Sequence, residues 1–247
     1  MIAAIRLALS WLSVLPVRGP QPVDRTTAAG AIAAAPLAGA LLGAGATGLL
    51  WVLCWAGADS ALAALVTVGA LVLLTRGMHV DGLADTADGL GSYGPPERAR
   101  EIMKSGGAGP FGVAALIFAI GIQVLAFAAL ADAGRWFAVA AAVTVGRVAV
   151  VAACRGHRAA PGAGFGALVA ATQTWVTVLV WIVIALGASV FAVSRLWLGP
   201  VAVGVALVLA AVLVRHCVRR FDGLNGDVLG AAVEVGVAAT AAVMSLS

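Results

Sequence analysis

The stretch MHVDGLADTADGLG, residues 78–91, sets Asp81, Asp85 and Asp88 at i, i+4 and i+7. On a helix each residue turns about 100°, so the three carboxylates fall within an arc of about 60°. Three like charges on one narrow face repel, and desolvation beside an apolar segment adds to that cost. A cation among them relieves both. Carboxylates without His or Cys in ligand spacing suit a hard, oxygen-preferring ion, Mg²⁺ or Mn²⁺ ahead of Zn²⁺. Gly82, Gly89 and Gly91 leave room for a phosphate to approach the backbone. The competing reading is a solvated acidic helix end of the kind that membrane-surface loops carry. His79, two residues before Asp81, can position a hydroxyl or assist proton transfer, or it is a plain interfacial histidine.

A second acidic, glycine-rich stretch, RRFDGLNGDVLGA, covers residues 219–231. Asp227 stands there at a helix start, where an aspartate is often only an N-terminal cap. The Gly226–Asp227 pair beside Arg219 and Arg220 is also suited to holding metal and phosphate together, which makes Asp227 the fourth candidate ligand. Seven residues on, Glu234 faces the same way but deeper, and a carboxylate inside an apolar span is a functional candidate by default. Between the two stretches, PPERAREIMKSGGAGPFG (residues 95–112) supplies Arg98, Arg100 and Lys104 next to flexible backbone, a combination that reads as a phosphate clamp or as a loop that only sets topology. Arg147 sits inside an apolar run, where it either reaches substrate or snorkels to the surface. There is no P-loop, no Ser/His/Asp arrangement and no zinc spacing. Cys54, Cys154 and Cys217 lie far apart in or beside apolar stretches, giving neither a disulfide framework nor a ligand set.

The elements that must hold these groups are membrane helices. The chain has 247 residues, of which 62% are hydrophobic and 11% charged, with a mean hydropathy of +1.07, outside the range of water-soluble domains. A span needs about 20 apolar residues. Runs of that order lie near residues 28–55, 60–78, 110–131, 135–154, 173–193, 196–214 and 226–246, with a shorter apolar segment at 2–16 that could span, half-insert or lie at the interface. The expected fold is all-α: one polytopic transmembrane helical bundle of about seven or eight membrane segments, a single domain over residues 1–247. Runs such as AAGAIAAAPLAGALLGAGATG are dominated by small residues, which let helix backbones approach closely in lipid. The loops 17–27, 76–109, 155–172 and 215–225 fall on one side and hold eleven of the fifteen basic residues, against Arg135 and Arg195 on the other. By the positive-inside rule that side is cytoplasmic, and the acidic clusters lie on it. A net charge of +4 is accounted for by this topology and leaves no nucleic-acid footprint.

HVDGLADTADGLG, followed by ERAREIMKSGGAGPFG and later by NGDVLGA, resembles the cobalamin synthase (adenosylcobinamide-GDP ribazoletransferase) family of membrane enzymes. The likeness extends to the N-terminal ALSWLSVLPV and APLAGALLGA. The resemblance implies an Mg²⁺-dependent last step of cobalamin assembly in the inner membrane of a prokaryote, with the site facing the cytoplasm. There α-ribazole or its 5′-phosphate is joined to adenosylcobinamide-GDP and GMP leaves. It implies Asp81, Asp85, Asp88 and Asp227 as the metal-binding and catalytic set, and His79, Gly82, Gly89, Arg98, Arg100, Lys104, Arg147, Asn225 and Gly226 as substrate-binding. The lipid bilayer is the expected partner besides these small molecules, and a homo-oligomer is left open. Two departures stand out. After EIMK many members carry an acidic residue, Ser and Arg, whereas this chain reads Ser105, Gly106, Gly107. The usual Gly-Gly-x-Thr-Gly-Asp is here DGLNGD, so Asp222 is not carried over, while Asn225 can donate and accept hydrogen bonds as a threonine would. Two other readings remain from the residues alone: a CDP-alcohol phosphatidyltransferase-like lipid enzyme, whose longer Ala-Arg and paired-aspartate pattern is missing, and an ion-coupled transporter, whose carboxylates would be expected near the membrane midplane.

Overall fold

The computed structural model describes residues 1–246, and among them regular structure is helical apart from one isolated bridge between Ala159 and Leu224. In chain order the helices are α1 (Ile2–Leu12), α2 (Arg25–Ala33), α3 (Ala35–Trp55), α4 (Ser60–Leu74), α5 (Met78–Gly91), α6 (Pro96–Met103), α7 (Pro110–Asp132), α8 (Trp136–Ala153), α9 (Gly164–Val169), α10 (Trp175–Ser189), α11 (Leu198–Arg220) and α12 (Gly226–Met244). Five of them, α3, α7, α8, α11 and α12, are long and apolar enough to cross a membrane. The polytopic helical bundle expected from composition is therefore present. Seven or eight segments are reached only by adding the short apolar helices α4, α10 and α1. At 1.5 Å per residue, the 15 residues of α4 and of α10 rise about 22 Å and the 11 of α1 about 16 Å, less than the hydrocarbon thickness of about 30 Å.

Helices α8 and α12 form the centre: 72% of their apolar windows is buried, against 28–33% for α3, α7 and α11. Small residues permit this. An added Cβ on Gly146 of α8 would lie 2.9 Å from the Val233 carbonyl of α12, and one on Gly43 of α3 would lie 2.8 Å from the Ala140 carbonyl of α8. In lipid, where apolar burial between helices contributes little, such close backbone approach is what holds helices together.

The expected run 28–55 is broken at Ala34, where Pro36 follows in the first turn of α3. The Leu37 amide bonds to Ala34, so the Ala33 carbonyl loses its helical partner, and the Trp181 indole of α10 donates to it at 2.8 Å. A broken helix is tolerated in lipid when a neighbour satisfies the freed group in this way. A second break turns α5 by 89° from α4. Its corner is the left-handed pair Arg76 (φ 57°) and Gly77 (φ 68°), pinned by the Arg76 guanidinium donating to the Ser10 and Ser13 carbonyls at 2.5 and 2.7 Å. The aspartate-bearing helix thus leaves the direction of the span before it.

Candidate active site

The turned α5 packs against the first turns of α12, and glycines set how closely. A Cβ on Gly82 would lie 2.7 Å from the Asp227 carbonyl oxygen and 2.9 Å from its Cα; one on Gly230 would lie 3.1 Å from the Met78 and His79 carbonyls. Gly89 faces Met103 and Phe221 in the same way. Where the sequence suggested open space for a phosphate at Gly82 and Gly89, both positions are filled by protein. The glycines bring the two acidic stretches together.

Asp81, Asp85 and Asp88 share a helix face but not an environment, running from exposed through half-buried to buried. Asp88 commits both oxygens to the start of α7, accepting from the Gly109 amide at 2.6 Å and the Gly112 amide at 2.9 Å; a carboxylate there satisfies orphan amides and complements the helix dipole. Asp85 feels burial first, then the charges of Asp81, Asp227 and Asp88, which together push its carboxyl up to about 6. Like charges are therefore gathered, as their spacing implied.

Asp227 is not the cap of its helix. Asn225 takes that role, its side-chain oxygen accepting from the Val228 amide at 2.9 Å, and among the described residues the Asp227 carboxylate makes no hydrogen bond or ion pair. Replacing Asn225 with Ala is expected to cost about 1 kcal/mol through the lost cap, whereas Thr, which caps similarly, retains most of it; thermal unfolding of the purified variants in one detergent measures the difference.

Two cavities meet at Gly226 and Asp227. The larger, about 340 Å³, reaches into the bundle and is lined by Asp81, Asp227, His79 and Arg147 among apolar side chains. The smaller, about 200 Å³, is lined by Arg100, Lys104, Asn225 and the loop Ala160–Gly166. Of the expected clamp, Lys104 and Arg100 are present there, Arg100 being steadied by the Phe221 carbonyl at 2.9 Å and by Glu97 at 3.0 Å. Arg98 pairs instead with Glu101 at 3.2 Å on an exposed face and lines neither cavity.

Arg147 is buried rather than snorkelling, at 4% exposure. One guanidinium nitrogen donates to the Val143 carbonyl at 3.1 Å, another lies 3.4 Å from His79 Nδ1, and its Nε has no partner among the described residues. Burial first and the Arg147 charge second push the His79 imidazole well below its usual pKa, favouring the neutral ring. Glu234 accepts from Gln123 at 2.6 Å, and a small cavity of about 20 Å³ is lined by Glu234 and Gln123 together with His79 and Arg147. Glu234 thus lies behind the site, as its position seven residues from Asp227 suggested.

The loop over the smaller cavity was not found from the sequence. It is held at the α11–α12 corner by Ala160 donating to Leu224 at 2.9 Å and Leu224 to Arg158 at 2.8 Å, by an Arg158–Asp222 ion pair, and by Gly223, whose φ of 145° permits the close pass. Asp222 is a corner residue, consistent with leaving it out of the metal set. The density of glycine in PGAGFG was the available signal. Trp11 of α1 was missed as well; its ring meets Phe165 edge-on at 5.1 Å, across some 150 residues of chain.

Among the described residues no three His, Cys, Asp or Glu side chains converge tightly enough to enclose an ion. A Mg²⁺ that accompanies a diphosphate needs only one or two carboxylates, the other positions being taken by phosphate and water. Asp81 and Asp227 on one cavity wall, with Asp85 beside them, fit that demand.

The cobalamin-5-phosphate synthase family matches residues 4–245 of the chain. Relatives named adenosylcobinamide-GDP ribazoletransferase include those of Corynebacterium efficiens, 38% identical over 96% of this chain and 89% of the relative, and of Nocardioides sp. and Klebsiella pneumoniae, each 40% identical over 96% of both chains. No solved structure matches.

Proposed function

The chain belongs to the cobalamin-5-phosphate synthase family, and from that premise we propose that it transfers the adenosylcobinamide phosphate group of adenosylcobinamide-GDP onto α-ribazole or its 5′-phosphate. The hydroxyl of the ribose attacks the phosphorus nearer the cobinamide; a new P–O bond forms, the bond to the bridging oxygen breaks, and GMP departs with that oxygen. The observation that carries this reading is the position of Asp227, which lines both cavities, with Asp81 on the wall of one and Lys104 on the wall of the other.

Asp81 and Asp227, with Asp85 beside them, would hold Mg²⁺ together with the phosphates and water. When bound, the ion neutralises the diphosphate and stabilises charge on the leaving phosphate. Lys104 and Arg100 add positive charge from the loop side and steady the outgoing GMP. The positive end of α12, which starts at Gly226, also favours an anion there. A carboxylate of the cluster accepts the hydroxyl proton. Asp88 holds the start of α7 against α5 and so fixes the face that presents Asp81 and Asp85. With the basic loops on the cytoplasmic side of the membrane, both water-soluble substrates reach this end of the bundle directly.

The test is purified protein in lipid with both substrates. A joined corrinoid and an equal amount of GMP are expected with Mg²⁺, and neither when the metal is chelated. Release of CMP from a CDP-alcohol donor, or ion flux without product in sealed vesicles, would refute the assignment.

A further inference from the structure

The two cavities differ in shape, polarity and charge, and so do the two substrates. The larger is walled by Leu12, Val150, Leu229 and Val233 and edged by the Trp11 and Phe165 rings. Its polar groups are Asp81, Asp227, which the smaller cavity shares, and the adjacent pair His79 and Arg147. At about 340 Å³ it lies within the size range of small-molecule sites, about 300–1,000 Å³, and admits a nucleoside whole but not a corrin macrocycle. The smaller cavity has two cations and a glycine-rich backbone, the lining that phosphate groups need.

We propose that these cavities sort the substrates: the larger takes the riboside with its flat, largely apolar base pointing between Val150 and Leu229, and the smaller takes the diphosphate at the nucleotide end of the corrinoid. The inference rests on the transfer reaction given above. Size excludes the corrinoid ring from the cavity of about 340 Å³, so the diphosphate comes to Asp227 from the loop side. Polarity disfavours guanine at the apolar wall of the larger cavity, because donors and acceptors placed against Leu12, Val150, Leu229 and Val233 would be left unpaired, each at a cost of about 1–3 kcal/mol. A base with one ring acceptor and apolar substituents loses nothing there and gains from leaving water. Joining then takes place at the shared wall, where Asp227 stands. The arrangement also gives the membrane a role: half of the lining of the nucleoside cavity comes from α8 and α12, the two most buried spans, so the bundle core supplies much of the apolar pocket.

Steady-state kinetics with each substrate varied in turn test the assignment. Narrowing the larger cavity by Val150→Phe, or from the α1 side by Leu12→Phe, is expected to raise KM for α-ribazole about 10-fold and to change KM for adenosylcobinamide-GDP by less than about twofold. Leu12 is only half-buried, so its variant reports even if Val150→Phe fails to fold. Gly164→Leu narrows the smaller cavity at a position where a Cβ meets nothing within 4 Å, and is expected to do the reverse. Free 5,6-dimethylbenzimidazole should compete with α-ribazole in the unaltered protein and lose potency in Leu12→Phe. A rise in the corrinoid KM from either of the first two variants, unchanged KM values in Leu12→Phe, or a rise in the nucleoside KM from Gly164→Leu would overturn the sorting. An unaltered protein that makes no joined corrinoid would instead defeat the reaction on which it rests.

Discussion

Asp85→Asn is expected to slow corrinoid formation by about 10²–10³-fold while making the metal-free protein more stable at pH 7–8. The two effects have one cause. In the fold, burial and the charges of Asp81, Asp227 and Asp88 raise the Asp85 carboxyl from 3.8 to about 6, so its ionised form is less favourable folded than unfolded. A raised carboxyl favours the fold fully below pH 3.8 and loses that contribution as pH rises through about 6. The melting temperature of the variant in chelator should therefore exceed that of the unaltered protein above about pH 6, with the gap closing toward pH 4. Mg²⁺ should raise the melting temperature of the unaltered protein more than that of the variant, since a ligand that binds only the folded state stabilises it. Opposed changes in activity and stability mark a group kept for function. A variant that is less stable at every pH, with activity lost in proportion, would give Asp85 a packing role instead.

Gly82→Ala should disturb both the packing of α5 on α12 and the site between them through a single methyl group. The new Cβ would fall 2.7 Å from the Asp227 carbonyl oxygen and 2.9 Å from its Cα, and both are backbone in a buried helix, unable to swing aside as a side-chain tip does. Relief requires α5 and α12 to separate, at a cost of about 1–3 kcal/mol for overpacking. Because the same contact sets the distance from Asp81 and Asp85 to Asp227, activity should fall by about 10²-fold or more, as small misplacements of reacting groups do. Gly121→Ala in α7 is the matched control: a Cβ there meets nothing within 4 Å, so stability and product formation should be unchanged. Unfolding in one detergent and product formation in one lipid, measured for both variants, decide it. Equal behaviour would show that α5 is not held against α12 by this glycine.

Composition together with continuous apolar runs of about 20 residues was enough for the all-helical membrane fold, because a chain this apolar belongs in lipid and runs of that length satisfy their backbone hydrogen bonds as helices. The clustering of Asp81, Asp85 and Asp88 was legible for a similar reason: a period of 3.6 residues is a local property, and like charges repeating on it stand out against an apolar background. Span ends were less legible. Pro36 and the pair Arg76–Gly77 end helices inside runs whose hydropathy hardly changes, and hydropathy does not record direction, so the 89° turn of α5 is invisible to it.

The residue types and their spacing were sufficient to name the chemistry: acids for a hard cation, bases for phosphate, glycines for close approach. What the glycines approach was decided only in three dimensions, because a missing side chain leaves room equally for a ligand or for another helix, and here α12, Met103 and Phe221 take it. The same holds for the division of labour among identical aspartates. Asp88 meets the amides of α7, Asp85 meets its acidic neighbours and Asp227 is released by the Asn225 cap, and each outcome depends on partners that the chain brings in from elsewhere. Trp11, Phe165 and the loop over Asp227 lie far apart along the chain, and pairing over such separations is set by packing of the whole bundle, for which one unaligned sequence carries no local signal.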